Sequence, residues 1–196
     1  MRIDERPAKT KLGRWWMAIG VVALFLPIAT ECAEAQEHPT EAQVKAAYLY
    51  NFGKFVRWQT PAAGETFDIC VLGKDPFHGA LSSTVAGERI DGKSIVARDI
   101  STVESSRCQI LFISTSEESR LKAVLTAARR TNTLTVSDMP GFAEHGGMIE
   151  LVNVEGKIRF EVNVAAVNDA GINVSSQLLK VALKVVGIDS AKEMGR

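Results

Sequence analysis

The segment 41–58 carries its large apolar residues at helical spacing. These residues are Val44, Tyr48, Phe52 and Phe55. They follow one another at intervals of four, four and three residues, which places them on one face of a helix. Thr40 stands just before the segment and is a suitable N-cap. The pattern therefore predicts a helix over 41–58 whose apolar face packs into a core.

Over the rest of the chain, apolar runs with strand character alternate with helical segments. Strands are predicted at 108–114 and 133–136, and a strand followed by a short loop at 66–73. A hairpin or a short strand is predicted at 88–100, and a hairpin at 148–162. Helices are predicted at 75–85, 114–130, 163–171 and 175–186. This alternation predicts a single α/β domain with a largely parallel central sheet flanked by helices. The hairpin at 147–162 adds an antiparallel edge.

Polar residues mark where several predicted helices begin. Asp75 followed by Pro76 is typical of a helix N-terminus. Ser114 with Glu117 three residues later forms a capping box, and Asn163 is a further candidate cap. The last predicted helix is apolar almost all round, which is typical of a helix buried deeply or at a subunit interface. It therefore suggests a homodimer.

The first 35 residues have the composition of a secretory signal peptide. Residues 1–14 carry five basic side chains, and a run of 15 mostly apolar residues follows. Ala33-Glu34-Ala35 then matches a small-x-small cleavage site. A membrane anchor is the alternative, but the run is shorter than the ~20 residues that a spanning helix needs. We expect cleavage after Ala35, no later membrane span, and a mature chain 36–196 that forms one domain.

Composition narrows the class of protein without indicating a function. Of the 196 residues, 46% are apolar and 23% are charged, which is typical of a globular domain and argues against a disordered chain. The 23 Lys and Arg residues balance the 23 Asp and Glu residues. The chain therefore lacks the basic surplus that is typical of nucleic-acid-binding proteins, and no nucleic-acid partner is expected.

Cys70 and Cys108 are the two cysteines that remain after removal of the signal peptide. Each lies in an apolar, strand-like run, so two buried free thiols are one interpretation. An even number of cysteines in an exported protein favours the other interpretation, a disulfide.

The sequence lacks the motifs that are typical of catalytic, cofactor and metal sites. It contains no Gly-x-Ser-x-Gly elbow, P-loop, H-E-x-x-H or G-x-G-x-x-G motif, so we expect a protein that is not an enzyme. Two loops, one beginning at Gly73 and one containing His145, follow predicted strands, where open α/β sheets bind ligands. They suggest a small-molecule crevice, although ordinary turns have the same composition. Asp138 and Glu144 in the second loop are a candidate carboxylate pair.

Several segments occur in the order that is shared by a known family. After the signal peptide comes VKAAYLYNFGKFVRW at 44–58. The later segments are ICVLG and DPF in 69–77, CQILFI at 108–113, GF and GGMI in 141–149, FEVN at 160–163, and SSQLL at 175–179. On these motifs the chain resembles the YfiR-like family of exported bacterial proteins, over about residues 41–186.

The resemblance implies a periplasmic regulatory protein without catalysis or a cofactor. The best-known members of the family bind the periplasmic part of an inner-membrane diguanylate cyclase of the YfiN type. They hold it inactive, which lowers cyclic di-GMP signalling and with it biofilm formation. An outer-membrane lipoprotein of the YfiB type is a second implied partner, because it sequesters the repressor. The resemblance also implies a homodimer and a disulfide between Cys70 and Cys108.

A repressor that binds another protein needs an exposed apolar patch. The loop residues that are candidates for this patch are Trp58, Phe77, Met139 and Phe142. One face of the predicted helix at 175–186 is a further candidate. The alternative function is a periplasmic small-molecule binding or sensory module, which would use the crevice near Gly73 and His145.

Overall fold

The computed structural model describes residues 38–59, 64–103 and 107–187. The predicted signal peptide lies outside these ranges. Within them, no helix has both the length and the apolar character that crossing a membrane requires.

Five α-helices, one 3₁₀ helix and ten strands are described within these ranges. The α-helices are α1 Glu41–Phe55, α2 Ala80–Val85, α3 Leu121–Ala128, α4 Val164–Asp169 and α5 Ser176–Val181. The 3₁₀ helix, Thr115–Arg120, immediately precedes α3. The strands are β1 Val56–Trp58, β2 Thr66–Leu72, β3 Arg89–Ile90, β4 Lys93–Ile100, β5 Ile110–Ile113, β6 Leu134–Ser137, β7 Ile149–Val154, β8 Lys157–Asn163, β9 Ile172–Val174 and β10 Lys184–Val186.

Eight of the strands form one sheet in the order β10-β8-β7-β6-β5-β2-β4-β3. Five adjacent strands of this sheet, in the order β4-β2-β5-β6-β7, are parallel to one another. β7 and β8 form an antiparallel hairpin. β3 is antiparallel to β4, and β10 is parallel to β8 outside the hairpin. This arrangement confirms the predicted α/β class and the largely parallel sheet.

Both margins of this sheet are only partly covered by their outer strands. β3 pairs with the first two residues of β4, Lys93 and Ser94. β10 pairs with the last three residues of β8, which begin at Glu161. Most of β4 and the first half of β8 therefore have no neighbouring strand on their outer side within the described residues.

The central strands are apolar on both faces, and helices cover each face. In β2, Phe67, Ile69 and Val71 point into one core, whereas Cys70 and Leu72 point into the other. Helices α1, α2, α4 and α5 contribute buried residues to the first core, and α3 contributes buried residues to the second. The sheet is therefore the middle layer of three.

Helix α1 begins where the sequence predicts and ends earlier. Thr40 and Gln43 form a capping box, in which the Gln43 side chain accepts a hydrogen bond from the Thr40 N–H at 2.7 Å. On the apolar face, the ring of Phe52 packs edge-on against Phe160 with centroids 5.3 Å apart. The helix stops at Phe55 because β1 pairs in antiparallel register with β9, an interaction that helical periodicity does not reveal.

Two predicted helix starts are wrong in detail. Asp75 does not cap α2, because its carboxylate accepts a hydrogen bond from the Phe77 N–H at 2.7 Å and closes a tight turn. Helix α2 then begins at Ala80 after Gly79. Ser114 caps the 3₁₀ helix by accepting from the Ser116 N–H, so the capping box predicted with Glu117 does not form.

The last predicted helix, 175–186, is half helix and half strand. Ser175 caps α5 by accepting a hydrogen bond from the Leu178 N–H at 3.2 Å. The chain becomes extended at Ala182. The N–H of the following residue, Leu183, donates a hydrogen bond to the Phe160 carbonyl at 2.8 Å. The apolar residues near 185 thus extend the sheet as β10 and do not continue an apolar helix.

A disulfide joins Cys70 in β2 to Cys108, which lies two residues before β5. The two Cα atoms are 5.8 Å apart, and β2 and β5 are neighbouring parallel strands. Both cysteines are buried in the core beneath α3. The disulfide therefore crosslinks the centre of the sheet.

Replacing both cysteines with alanine should lower the free energy of unfolding by about 4 kcal/mol, because it opens a loop that spans 38 positions. Urea unfolding followed by circular dichroism measures this difference. Wild-type protein reduced with dithiothreitol is the matched control and should lose a similar amount. Equal stability of the oxidised wild type and the variant would contradict the prediction.

Candidate functional site: the strand ends and the groove beside α3

Three segments that follow neighbouring parallel strands meet at one margin of the sheet. Gly73 follows β2, the 3₁₀ helix follows β5, and the loop 138–147 follows β6. Ligands of open α/β sheets bind at such carboxyl ends, especially where the winding of the chain changes direction. Here the winding changes direction at β2, which pairs with β4 on one side and β5 on the other.

The 3₁₀ helix fills the space at this reversal point. Ser116 accepts a hydrogen bond from the Lys74 N–H at 2.9 Å, and the carboxylate of Glu117 is buried beside Arg120, with which it forms an ion pair. A Cβ atom added to Gly73 would lie only 2.7 Å from Oε1 of Glu117. The predicted crevice therefore does not open at Gly73, because protein side chains already occupy the space.

The loop 138–147 is held by polar side chains from the hairpin. Glu150 of β7 is buried, and its carboxylate accepts hydrogen bonds from the Gly141 and Ala143 N–H groups at 2.9 and 3.0 Å. Asn163 at the end of β8 donates to the Ala143 carbonyl at 2.7 Å. These bonds satisfy backbone groups that a buried loop would otherwise leave unpaired. The sequence singled out the loop but not Glu150 as its support.

Lys45 connects this loop to α1. Its buried ammonium lies 2.6 Å from Asp138 and 2.5 Å from Glu41 one helical turn earlier. Burial alone would lower the pKa of Lys45, but the hydrogen bonds to Asp138 and Glu41 outweigh it, and the pKa is raised above 10.5. Lys45 therefore remains charged and bridges two segments that are 93 positions apart.

Asp138 and Glu144 do not form the predicted carboxylate pair. Asp138 contacts Lys45, whereas Glu144 is exposed and lies 2.9 Å from Lys184 of β10. The hydrogen bond from Lys184 lowers the pKa of Glu144, and the same contact raises the pKa of Lys184. Asp138 thus connects the loop to α1, and Glu144 connects it to β10.

A groove of about 510 Å³ lies between α3 and the loop 138–147, and we call it the α3 groove. His145 lies on its loop side, as the sequence suggests for a ligand site, whereas Gly73 is not among its lining residues. The Nδ1 atom of His145 is 2.7 Å from the Gly141 carbonyl oxygen. A carbonyl only accepts hydrogen bonds, so Nδ1 carries the proton, and this bond fixes the ring on the loop.

Three of the four predicted partner-binding residues belong to the core. Phe77 is 1% exposed and packs edge-on against Phe112, with centroids 4.9 Å apart. Met139 and Phe142 are buried beneath α3, where Phe142 also lies against Gly147. These residues stand in loops, but the loops fold back over the sheet and bury them, so in this conformation they do not form an exposed patch.

Trp58, the fourth predicted partner-binding residue, is partly buried. Its ring packs edge-on against Phe67 with centroids 5.5 Å apart. Other large apolar side chains are exposed within the described residues. Val181 at the end of α5 and Leu183 before β10 are 57% and 46% exposed, and Phe55 and Val154 are also exposed. The two most exposed of these, Val181 and Leu183, lie in the segment 175–186 that the sequence offers as a further candidate surface, and not on the predicted loops.

The described residues contain no group of three or more His, Cys, Asp and Glu side chains that could hold a metal ion.

A model of the YfiR/HmsC-like family matches residues 42–183. The chain belongs to the YfiR/HmsC-like family. The matched range begins within α1 and ends just before β10, so that it includes the disulfide and the α3 groove.

Two solved structures are similar to this YfiR/HmsC-like chain. A conserved domain protein from Vibrio cholerae has a TM-score of 0.53 at 14% sequence identity. The ABC domain in complex with L-Trp from Streptococcus pneumoniae has a TM-score of 0.49 at 13% identity. Each comparison covers 74% of this chain and 60% of the other chain, and the Vibrio likeness shows the fold alone. No curated protein matches the chain at a significant level.

Replacing Lys45 with methionine should lower the free energy of unfolding by about 2 kcal/mol, because it leaves the carboxylate of Asp138 mostly buried without its cation. Urea unfolding at neutral pH measures the loss. Lys54→Met is the matched control, since Lys54 is exposed on the same helix, and it should lose much less.

The pH dependence provides the second readout of the same variant. Because the pKa of Lys45 is higher in the folded chain than its ordinary 10.5, its contribution is complete below pH 10.5 and is lost as the pH rises through the folded value. As the pH rises above about 10.5, the wild type should therefore lose more stability than Lys45→Met. A parallel loss in both proteins would contradict the assigned role of Lys45.

Proposed function

We propose that this protein is a periplasmic regulator that restrains an inner-membrane diguanylate cyclase by binding the periplasmic part of that enzyme. The observation that carries the proposal is the match of the YfiR/HmsC-like family model to residues 42–183. In this proposal the signal peptide is cleaved after Ala35, and the exported chain lowers cyclic di-GMP and hence biofilm formation. The protein contributes binding and no catalysis.

The exposed apolar residues at the end of α5 are the surface that best suits such a partner. Val181 and Leu183 are 57% and 46% exposed, although the backbone of Leu183 is fixed to the sheet through its bond to Phe160. Apolar side chains on a fixed backbone lose little conformational freedom when a partner covers them. We therefore place the cyclase contact, or the contact between two copies of the chain, on this surface.

Two further parts of the proposal concern other partners. The protein acts as a homodimer, and an outer-membrane lipoprotein of the YfiB type releases the cyclase by sequestering the repressor. The resemblance to the family suggests both, and the exposed residues Val181 and Leu183 support them, because each complex needs an apolar contact.

A small-molecule sensory function is the second candidate, and one observation favours it. The α3 groove has a volume within the range of about 300–1,000 Å³ that is typical of small-molecule sites, and His145 lines it. The two functions are compatible, because a ligand in the groove can tune a regulator whose partner binds elsewhere.

Deletion of the gene should raise cellular cyclic di-GMP if the protein restrains a cyclase. The intact gene should restore the low level, and a version without residues 1–35 should not, because it stays on the wrong side of the inner membrane. Mass spectrometry of cell extracts measures the nucleotide, and immunoblotting of the periplasmic fraction verifies expression. An unchanged level in the deletion strain would contradict the proposal.

A pair of matched variants tests the surface in the same strain. Val181→Glu should leave cyclic di-GMP as high as in the deletion strain, because a buried carboxylate opposes the contact. Val154→Glu is the control, since Val154 is also an exposed valine but lies on the β7–β8 hairpin. It should restore the low level. If Val181→Glu also restores it, the contact lies elsewhere on the molecule.

A further inference from the structure

The α3 groove combines an apolar floor with basic side chains. Leu125 of α3 and Met139 of the loop are buried below it, and Leu121 and Pro140 continue its apolar walls. This lining fits the hydrocarbon part of a small molecule, because apolar surface that leaves water on binding stabilises the complex.

A lysine and an arginine line the same groove. Lys122 lies in the first turn of α3 and Arg129 is its C-cap, so the two side chains lie on one face of the helix about two turns apart. Within the described ranges, neither side chain forms an ion pair or a hydrogen bond with another protein group. The carboxylate that lines the groove is that of Glu118, so the groove carries a net positive charge.

The guanidinium of Arg129 reaches from α3 to the loop. Its Nη2 atom lies 3.1 Å from the position that a Cβ atom would occupy at Gly146, whose φ is 93°. His145, the residue before Gly146, lines the same groove. Its Nδ1 atom is bound to the Gly141 carbonyl, and its Nε2 atom has no described partner. Basic groups from two different elements therefore converge at one end of an apolar groove.

We propose that the α3 groove binds a small amphiphilic carboxylate, with its anionic group at Arg129 and its hydrocarbon part over Leu125 and Met139. Charge complementarity selects the anion, because Lys122 and Arg129 outnumber Glu118 in the lining. The volume of about 510 Å³ accommodates a molecule of about the size of a short fatty acid or an aryl carboxylate. The ligand site does not depend on the proposed cyclase contact, so an experiment that disproves one of the two proposals does not disprove the other.

The position of the groove gives binding a route to the rest of the fold. The loop 138–147 forms one wall, and Asp138 and Glu144 in this loop contact Lys45 of α1 and Lys184 of β10. The contact between Glu144 and Lys184 joins this wall to the segment that follows the exposed Val181. The ligand binds on the opposite face of the sheet from α1 and α5.

Nuclear magnetic resonance titration of the purified ¹⁵N-labelled protein tests the proposal with sodium octanoate as the probe. Octanoate should shift the amide signals of α3 and the loop 138–147 in a saturable way. Octanamide, which has the same chain length and no charge, should bind at least about tenfold more weakly, because it loses the charge-assisted bonds. Equal affinities, shifts confined to other elements, or no saturation would overturn the proposal.

Arg129→Gln and Arg130→Gln form a matched pair for the same titration. Both residues are exposed at the C-terminal end of α3 and carry the same charge, but Arg130 lines a neighbouring depression on the helix and not the α3 groove. Arg129→Gln should weaken octanoate binding about tenfold, and Arg130→Gln should change it by less than about twofold. Equal effects of the two variants would show unspecific attraction by surface charge and would overturn the assigned site.

Discussion

Apolar side chains on both faces of the central strands are the constraint on which the rest of the structure depends. Along β5, and along β2 from Ile69 onward, successive residues are buried alternately in one core and in the other, so each face must be covered. Helix α1 and the shorter helices cover one face, whereas α3 alone covers part of the second. The loop 138–147 completes that second cover with Met139 and Phe142.

A loop that serves as part of the core has to satisfy its own backbone, and this need explains the buried polar residues around it. Glu150 and Asn163 bind its backbone, and Lys45 binds its first acidic side chain. The α3 groove lies where this loop faces α3 without closing against it. The same arrangement that covers the sheet thus creates its principal candidate site.

The sequence was sufficient for features that local chemistry decides. The caps at Thr40 and Asn163 and the continuous apolar run of β5 follow from side chains within a few residues. Strands β1, β9 and β10 could not be predicted, because each has three residues and forms only by pairing with a distant segment. Spacing did not reveal that Phe77 and Phe142 point inward from their loops. Arg129 had no local signal that linked it to His145, 16 positions later.

The partly covered margins of the sheet have a consequence for the behaviour of the protein at high concentration. Unpaired strand edges invite other chains to add strands, and natural proteins oppose this with charge. Arg98 and Asp99 stand on the open part of β4, and Lys157 and Arg159 stand on the open part of β8. Pairing of a strand from a second molecule with either margin would remove water from these charged side chains, which is unfavourable. The charges therefore protect the margins against aggregation and direct self-association toward the helical and loop surfaces.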